Sequence, residues 1–253
     1  MDTPEVNRAL SFGRGAAGYE AARPEYSPEA LDLAVARIGL GPDAAVLDLA
    51  AGTGKLTRPL TQRFAKVVAV EPDPGMRTVL GQATICCKVL EGRAESIPLP
   101  DDCVDAVFVG QAFHWFATPE AVREIARVLR PRGALVLIWN TWWGTEPALP
   151  DEAETLIQSV VDRPQLEPIR LPREDWQACF EGSSFEELRK EEVAERTLEV
   201  DSDRLVSLYL STSPFATLPP EEHERVESEL RRLVTGRHRL PVGTRLLWTR
   251  LAG

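Results

Sequence analysis

Residues Val46–Thr57 read VLDLAAGTGKLT, and this stretch decides how the whole chain is interpreted. Its first four residues, Val46 to Leu49, have the mostly apolar composition of a buried strand. A loop of small residues with glycines at positions 52 and 54 follows, and a helical pattern begins near Lys55. Glycine lets the backbone come close to a ligand, and a following helix points N–H groups at the loop. The stretch indicates a strand–loop–helix unit around a nucleotide-like ligand, and a tight turn without a ligand is the alternative.

Strand-like and helix-like segments alternate around this stretch. The pattern predicts strands at 46–49, 67–70, 87–90, 104–109 and 134–139, and helices at 28–38, 55–65, 74–82 and 119–129. Such alternation is typical of a parallel sheet with helices on both faces, wound by right-handed crossovers. We therefore predict a doubly wound α/β fold, whose ligands bind beyond the carboxyl ends of the strands.

The C-terminal part of the chain has a different character. Residues 144–200 are charged and rich in proline, residues 203–234 have a helical pattern, and RLLWTRL at 245–251 resembles a final strand. With no internal repeat and no obvious linker, the simplest prediction is a single domain over 1–253, with a lid-like insertion at 144–200 after the fifth strand.

Composition argues against several classes of function. The formal net charge of −10 disfavours attraction to nucleic acid or to an anionic membrane. The four cysteines form no CxxC pair and only three histidines are present, so neither a zinc site nor a disulfide framework is indicated. The N-terminus lacks the pattern of a signal peptide, and the longest apolar run, 134–139, is too short to span a membrane. We expect a soluble, cytoplasmic protein.

A carboxylate follows the second predicted strand. Glu71 lies in VVAVEPDPGM, at the edge where the ligand is expected, and can accept hydrogen bonds from two ribose hydroxyls. A solvated strand-end carboxylate is the alternative. A dinucleotide fingerprint GxGxxG would fall on Ala50, Gly52 and Lys55, so its third glycine is missing.

Several motifs in order resemble a known family. DLAAGTGKLT, VEPDPGM and GRAESIPLPDDCVDAVFVGQAFHWF look like the successive motifs of class I S-adenosylmethionine-dependent methyltransferases. The closest similarity is to the branch called methyltransferase type 11, in particular members similar to trans-aconitate methyltransferase. SFGRGAAGYEAARPEYSPEAL, near the N-terminus, also resembles that group. The resemblance implies a Rossmann-like, mostly parallel seven-stranded sheet, a cap formed by residues 1–26 and a helical insertion.

The same resemblance implies which residues bind S-adenosylmethionine. The set comprises Tyr19, Arg23, Asp48, Ala50, Gly52, Gly54, Glu71, Pro72, Met76, Ala94, Glu95 and Gln111. The glycine loop and Asp48 would line the methionine part and the ribose, and Glu71 would hold the ribose hydroxyls. Residues 72–76, with Ala94 and Glu95, would surround the adenine. The backbone of Gln111 would face the methionine amine, and Arg23 would pair with the methionine carboxylate.

Two residues depart from the family pattern. Ala50 replaces the usual first glycine of the loop. Because its methyl group is small and alanine adopts many backbone conformations, we expect cofactor binding to be retained. Arg93 stands where many relatives carry aspartate, which shifts the recognition of the adenine amino group to the backbone and Glu95.

The predicted acceptor side is aromatic. His114, in the sequence AFHWF after the fourth strand, is the candidate catalytic residue, either as general base or as a hydrogen-bond donor to a substrate carboxylate. A structural histidine is the alternative. Trp115, Trp142 and Trp143 are the predicted substrate wall, with packing as the alternative for each. Trp176, Phe180 and Phe185 would form a lid or the insertion's own small core, and we favour that core for the two phenylalanines.

These features predict methyl transfer from S-adenosylmethionine to a small molecule, with S-adenosylhomocysteine as product. Oxygen is the expected acceptor atom, a carboxylate first by the resemblance and a phenol or alcohol second. We expect no metal, no nucleic-acid or membrane partner, and a monomer or homodimer. The alternatives are an NAD(P)-dependent oxidoreductase on a related fold and a non-catalytic S-adenosylmethionine-binding protein.

Overall fold

The computed structural model describes residues 16–84, 87–142, 149–163 and 174–253. Within these residues, strands form one seven-stranded sheet. The strands are β1 (Ala45–Leu49), β2 (Lys66–Val70), β3 (Lys88–Leu90), β4 (Val104–Gly110), β5 (Leu129–Thr141), β6 (Arg189–Asp201) and β7 (Arg237–Arg250). The helices are α1 (Ala16–Ala22), α2 (Pro28–Ile38), α3 (Thr57–Thr61), α4 (Pro74–Ala83), α5 (Pro119–Val128), α6 (Asp151–Val161), α7 (Ser202–Leu210), α8 (Ser213–Ala216) and α9 (Pro220–Leu233). Short 3₁₀ segments lie at Phe113–Trp115 and Glu174–Phe180.

The strand order β3-β2-β1-β4-β5-β7-β6 confirms the doubly wound prediction. β1 pairs in parallel with both β2 and β4, β2 with β3, and β4 with β5, whereas β7 runs antiparallel to β5. The order reverses between β1 and β4, so a crevice opens beyond the carboxyl ends of these two strands. The loops after β1 and β4 are therefore placed for binding.

Three of the helices have the same kind of N-terminal cap. Ser27, Asp73 and Thr118 each precede a proline, and each side chain accepts a hydrogen bond from the main-chain N–H three residues later. Proline at the first helical position loses no hydrogen bond, because that N–H has no partner within the helix. The predicted starts of α2, α4 and α5 are confirmed.

The structure differs from the sequence prediction in several elements, and β7 begins at Arg237 rather than at 245. The helix predicted at 55–65 is only the five residues of α3, and its later start agrees with the φ of +90° at Gly54, which is not helical. β5 begins at Leu129 rather than at Ala134, with a register shift against β4. β6 was not predicted, and it occupies the end of the segment that we interpreted as an insertion.

The chain forms two compact units. The sheet unit consists of Glu25–Thr141, Glu174–Ala194 and Gly243–Gly253, and the helical unit of the described residues within Met1–Pro24, Trp142–Arg173 and Glu195–Val242. In the sheet unit, the central strands β1, β4 and β5 are buried on both faces. In the helical unit, Trp142 and Phe215 belong to a core formed by α6 to α9. The single domain with a cap at 1–26 and an insertion at 144–200 stays a prediction.

Among the described residues, no helix combines the length and the apolar character needed to span a membrane.

Candidate functional site

The loop after β1 is built from left-handed backbone. Ala50, Gly52 and Gly54 have φ values of +57°, +57° and +90°. The expectation that alanine suits many conformations is therefore wrong at position 50, because this φ lies in the region that favours glycine. An L-residue there costs about 1 kcal/mol, so the loop holds Ala50 in a strained conformation.

The two glycines of the loop have different surroundings. A Cβ atom built on Gly54 would lie 2.6 Å from Cδ1 of Leu80, a fully buried residue of α4. A Cβ built on Gly52 would have no atom within 4 Å among the described residues. The described residues thus leave little room for a side chain at position 54, beside α4, whereas they leave room beside Gly52.

Glu71 closes the loop from the end of β2. Its Oε2 accepts a hydrogen bond from the N–H of Gly52, and its Oε1 accepts one from the N–H of Asp73, both at 2.8 Å. The residue is only 6% exposed. Each carboxylate oxygen has lone pairs beyond these bonds, so the position and orientation suit a carboxylate that receives further hydrogen bonds from a ligand.

Asp48, at the carboxyl end of β1, is fully buried. Its Oδ2 accepts a hydrogen bond from the hydroxyl of Thr57 at 2.6 Å. Its Oδ1 has no hydrogen-bond partner among the described residues. A buried carboxylate oxygen without a partner is costly, which indicates a donor that the protein itself does not supply.

Burial dominates the electrostatics of this carboxylate pair. It raises the pKa of Asp48 to about 7, against the hydrogen bond from Thr57, and the negative charge of Glu71 raises it further. Burial likewise raises the pKa of Glu71 to about 7, against the N–H groups of Asp73 and Gly52. Two carboxylates with raised pKa values beside a glycine loop are typical of a ligand site rather than of a structural turn.

These observations fit the adenosine and methionine parts of S-adenosylmethionine. The open space at Gly52 admits a ligand close to the backbone, and Glu71 offers acceptors for ribose hydroxyls. The unpartnered oxygen of Asp48 offers an acceptor for a cationic or N–H donor. The described residues contain no group of His, Cys, Asp and Glu that could hold a metal ion.

A polar network joins the other strand ends in the sheet unit. Gln111, just after β4, has a φ of +60°, and its Nε2 donates to the main-chain oxygen of Asn140 at 3.1 Å. Nδ2 of Asn140 donates to the main-chain oxygen of Glu25 at 3.3 Å. The Glu25 carboxylate pairs with Nζ of Lys55 at 2.8 Å and with Arg58 at 3.3 Å. The network ties residue 25 to the glycine loop and to the ends of β4 and β5.

The residues predicted to surround adenine follow β2 and β3. Met76 and Ala94 are buried, whereas Glu95 is exposed, as is Arg93. The main-chain N–H of Glu71 donates to the oxygen of Leu90 at 3.1 Å, which keeps the two strand ends together. The structure thus places all of these residues in the sheet unit, and their contacts with adenine stay a prediction.

His114 lies on the 3₁₀ segment after β4 and is exposed, with its ring 4.7 Å from that of Trp115. Neighbouring Phe113 is fully buried and stacks on Phe180 at 5.6 Å. The prediction that Phe180 and Phe185 form a separate core is therefore wrong, because Phe180 joins them to the residues after β4. An exposed imidazole at the strand ends is accessible to a substrate, and its catalytic role stays a prediction.

Three predicted residues are described in the helical unit. The guanidinium of Arg23 lies 5.1 Å above the ring of Tyr19, and its Nε donates to the hydroxyl of Ser211 at 2.8 Å. Trp142 is 4% exposed and packs edge-on against Tyr209, which agrees with the packing alternative. Trp143 lies outside the described residues. Roles for these residues toward a cofactor or substrate stay predictions.

The sequence analysis did not identify Glu25, Lys55, Arg77 or Asn140 as part of the site. Lys55 is buried although lysine is usually exposed, and it directly follows the glycine loop. Asn140 directly follows the apolar strand that the sequence predicts at 134–139 and lies near the end of β5. The sequence did offer a signal for Lys55 and Asn140. Each is a charged or amide residue that directly follows a strand or loop predicted to border the crevice.

Comparison with known proteins agrees with this geometry. A family model described as a methyltransferase domain matches residues 47–137. An uncharacterized methyltransferase of Mycobacterium tuberculosis is 52% identical over 143 residues, which are 56% of this chain and 56% of that protein. The match thus spans little more than half the length of that relative.

Two further comparisons cover most of the chain. An uncharacterized methyltransferase-like protein of Schizosaccharomyces pombe is 36% identical over 222 residues, 87% of this chain and 84% of that protein. The crystal structure of the YcgJ protein from Bacillus subtilis superimposes with a TM-score of 0.55 at 20% identity, covering 89% of this chain and 99% of that one. This likeness shows the Rossmann-like fold. The chain therefore belongs to the class I S-adenosylmethionine-dependent methyltransferases, in the branch called methyltransferase type 11.

Proposed function

We propose that the protein transfers the methyl group of S-adenosylmethionine to an oxygen of a small-molecule acceptor. The observation that carries the proposal is the pair of buried carboxylates, Asp48 and Glu71, on either side of an open glycine loop. A malonyl-[acyl-carrier protein] O-methyltransferase of Methylococcus capsulatus is 36% identical over 143 residues, 53% of this chain and 52% of that protein. That relative's name supports oxygen, and a carboxylate first, as the acceptor.

The protein's own contribution is alignment. S-adenosylmethionine supplies a methyl group on a positively charged sulfur, and transfer breaks the carbon–sulfur bond while a carbon–oxygen bond forms. Glu71 and the glycine loop would hold the adenosine so that the methyl group faces the acceptor. A carboxylate acceptor has already lost its proton at neutral pH. A hydroxyl acceptor must lose one, and His114, which is exposed beyond the end of β4, would act as the base.

Binding of S-adenosylhomocysteine is the first test of this function. At about a hundred times its dissociation constant, a ligand that binds only the folded state adds about 2.7 kcal/mol of stability. For a chain of this size, the unfolding temperature should rise by roughly 5–10 °C in a thermal-shift assay. NAD and NADP serve as controls. A rise with a nicotinamide cofactor alone, or with none of the three, would contradict the proposal.

Replacing His114 should affect the methylation of hydroxyl acceptors and of carboxylate acceptors differently. We expect His114→Ala to lower turnover of a hydroxyl acceptor by roughly 10²-fold, because it removes the base, and to leave turnover of a carboxylate nearly unchanged. Steady-state kinetics at neutral pH measure both. His223→Ala is the matched control, since His223 lies on α9 beside Glu227. Unaltered turnover of a hydroxyl acceptor would remove the base role from His114.

A further inference from the structure

Arg77 hydrogen-bonds two separate loops of the sheet unit at once. It lies in the first turn of α4, and its Nη1 donates to the main-chain oxygens of Glu71 and Pro72, at 2.9 and 2.6 Å. Its Nη2 donates to Oε2 of Glu91 at 2.7 Å. The first two acceptors belong to the loop after β2, and Glu91 directly follows β3. One side chain thus holds the ends of two neighbouring strands.

Arg77 is much less exposed than its partner Glu91. Its side chain is 18% exposed, whereas that of Glu91 is 76% exposed. The guanidinium group is planar, and its donors keep a fixed relative geometry, so it can serve two directions without further ordering. The ammonium group of a lysine would keep the positive charge. Its donors lie on one nitrogen atom, so it could not form the bonds to the loop after β2 and to Glu91 at the same time. Charge and geometry can therefore be tested separately at this position.

The two loops held by Arg77 carry the residues predicted to bind adenosine. Glu71 offers its carboxylate for the ribose hydroxyls, and the segment after β3 leads to Ala94 and Glu95. Arg77 donates to the main chain of Glu71. Among the described residues, its side chain makes no hydrogen bond to the loop after β1 or to the end of β4. Replacing Arg77 would therefore affect only the binding of the adenosine half of S-adenosylmethionine.

The charge of Arg77 also acts on Glu71. Burial raises the pKa of this carboxyl, and the positive charge of Arg77 opposes that effect. The other charge that acts on the pKa of Glu71 is that of Asp73, from the same loop, and it raises this pKa. Arg77 therefore supplies the positive charge that favours the ionised form of Glu71.

We propose that Arg77 is a positioning residue for the adenosine half of the cofactor, because it fixes the loops after β2 and β3 against each other through its bonds to Glu71, Pro72 and Glu91. The inference rests on the proposed function, since it needs the cofactor to occupy the site at Glu71. Arg77 would not touch the acceptor, and its loss would be felt by any ligand that contains adenosine.

The test compares Arg77→Met, Arg77→Lys and Glu91→Gln with wild type by isothermal titration calorimetry. S-adenosylhomocysteine and 5′-methylthioadenosine are the probes. Arg77→Met should weaken both by the same factor, about tenfold, because both contain adenosine. Glu91→Gln should weaken both by about two- to threefold. Arg123→Met is the matched control, because Arg123 pairs with Glu120 on the exposed side of α5.

The pH profile distinguishes positioning from a general loss of structure. In Arg77→Met the pH at which S-adenosylhomocysteine affinity is half-maximal should rise by roughly half a unit, since the ionised form of Glu71 loses its cation. In Arg77→Lys the pH midpoint should stay near that of wild type, because lysine keeps the positive charge. The affinity should fall about threefold, because lysine lacks the paired donors of the guanidinium group. A merely structural role would not separate the two variants in this way.

Each outcome decides the inference. If wild type binds S-adenosylhomocysteine and Arg77→Met matches Arg123→Met in affinity and in pH midpoint, the inference is overturned while the proposed function stands. If wild type binds neither probe, the proposed function fails and the inference with it. If Arg77→Met does not fold, Arg77→Lys and Glu91→Gln take its place, and unchanged affinity of both for 5′-methylthioadenosine overturns the inference.

Discussion

Glu71→Ala should weaken S-adenosylhomocysteine binding by about 10³-fold. A hydrogen bond to a charged group contributes about 1.5–3 kcal/mol, and this carboxylate is proposed to accept two from the ribose. The variant also removes the acceptor for the N–H groups of Gly52 and Asp73, which shape the loop. Titration calorimetry measures the affinity, and Glu120→Gln, on the exposed face of α5, is the control. A change smaller than about threefold would show that the ligand does not use Glu71.

The pKa of Glu71 gives this prediction a pH dependence. Burial raises the folded-state pKa of Glu71 and Asp48 to about 7, from about 4 in an unfolded chain. The folded protein therefore holds more protons than the unfolded chain between these values. The contribution of the pair to stability is fully present below pH 4 and is lost as the pH rises toward 7.

The affinity for the ligand should change with pH in the opposite direction to the stability. Ribose hydroxyls donate to the ionised carboxylate, so affinity should rise with pH up to about 7, by at most about tenfold per unit for each proton released, and level off above. Because the two carboxyls interact, the midpoint belongs to the pair. Calorimetry between pH 5.5 and 8.5 checks this, and Glu71→Gln should flatten the profile. Affinity that falls between pH 6 and pH 8 would contradict the assignment.

Gly54→Ala should destabilise the protein by about 3 kcal/mol. A φ of +90° costs an L-residue about 1–2 kcal/mol, and the new methyl group would lie 2.6 Å from Cδ1 of buried Leu80. The unfolding temperature should fall by roughly 6–12 °C. The clash lies with α4, so the loss should be present without any ligand.

Gly52→Ala is the matched variant two residues away. Its φ is also positive, at +57°, but no atom of the described residues lies within 4 Å of the added methyl group. We expect a loss of only about 1 kcal/mol in stability, and at least a tenfold loss in S-adenosylhomocysteine affinity, because the methyl group would enter the proposed ligand space. Thermal unfolding and calorimetry on both variants separate the two effects. Equal losses of stability in both variants would contradict the packing argument.

Local sequence signals were sufficient for much of the fold. β1, β2 and β4 are short runs of buried apolar residues, and α2, α4 and α5 carry their own start signals in Ser27, Asp73 and Thr118. β6 could not be predicted in this way, because RKEEVAERTLEVD is charged at most positions and lies at the edge of the sheet. An edge strand exposes much of its surface, so the apolar pattern that marks a buried strand is absent.

The candidate site was predictable where a single residue lies at or just after the end of a strand. Asp48 and Glu71 were found from their positions, and the structure adds their burial. The contacts of Lys55 with Glu25 and of Arg77 with Glu91 join residues separated by 30 and 14 positions. No periodicity or spacing relates such pairs, because the fold alone brings them together. The strain at Ala50 likewise depends on a backbone angle that side-chain size does not reveal.

The antiparallel partner of β5 has a consequence for synthesis on the ribosome. Residues Ala134–Thr141 of β5 pair with Gly243–Arg250 of β7, so about 100 residues must be translated between the two partners. At bacterial or eukaryotic elongation rates this takes roughly 5–20 s. During that interval the apolar segment ALVLIW has an unpaired edge, which is a template for association with other chains. We therefore expect this edge to need protection in the nascent chain until β7 emerges.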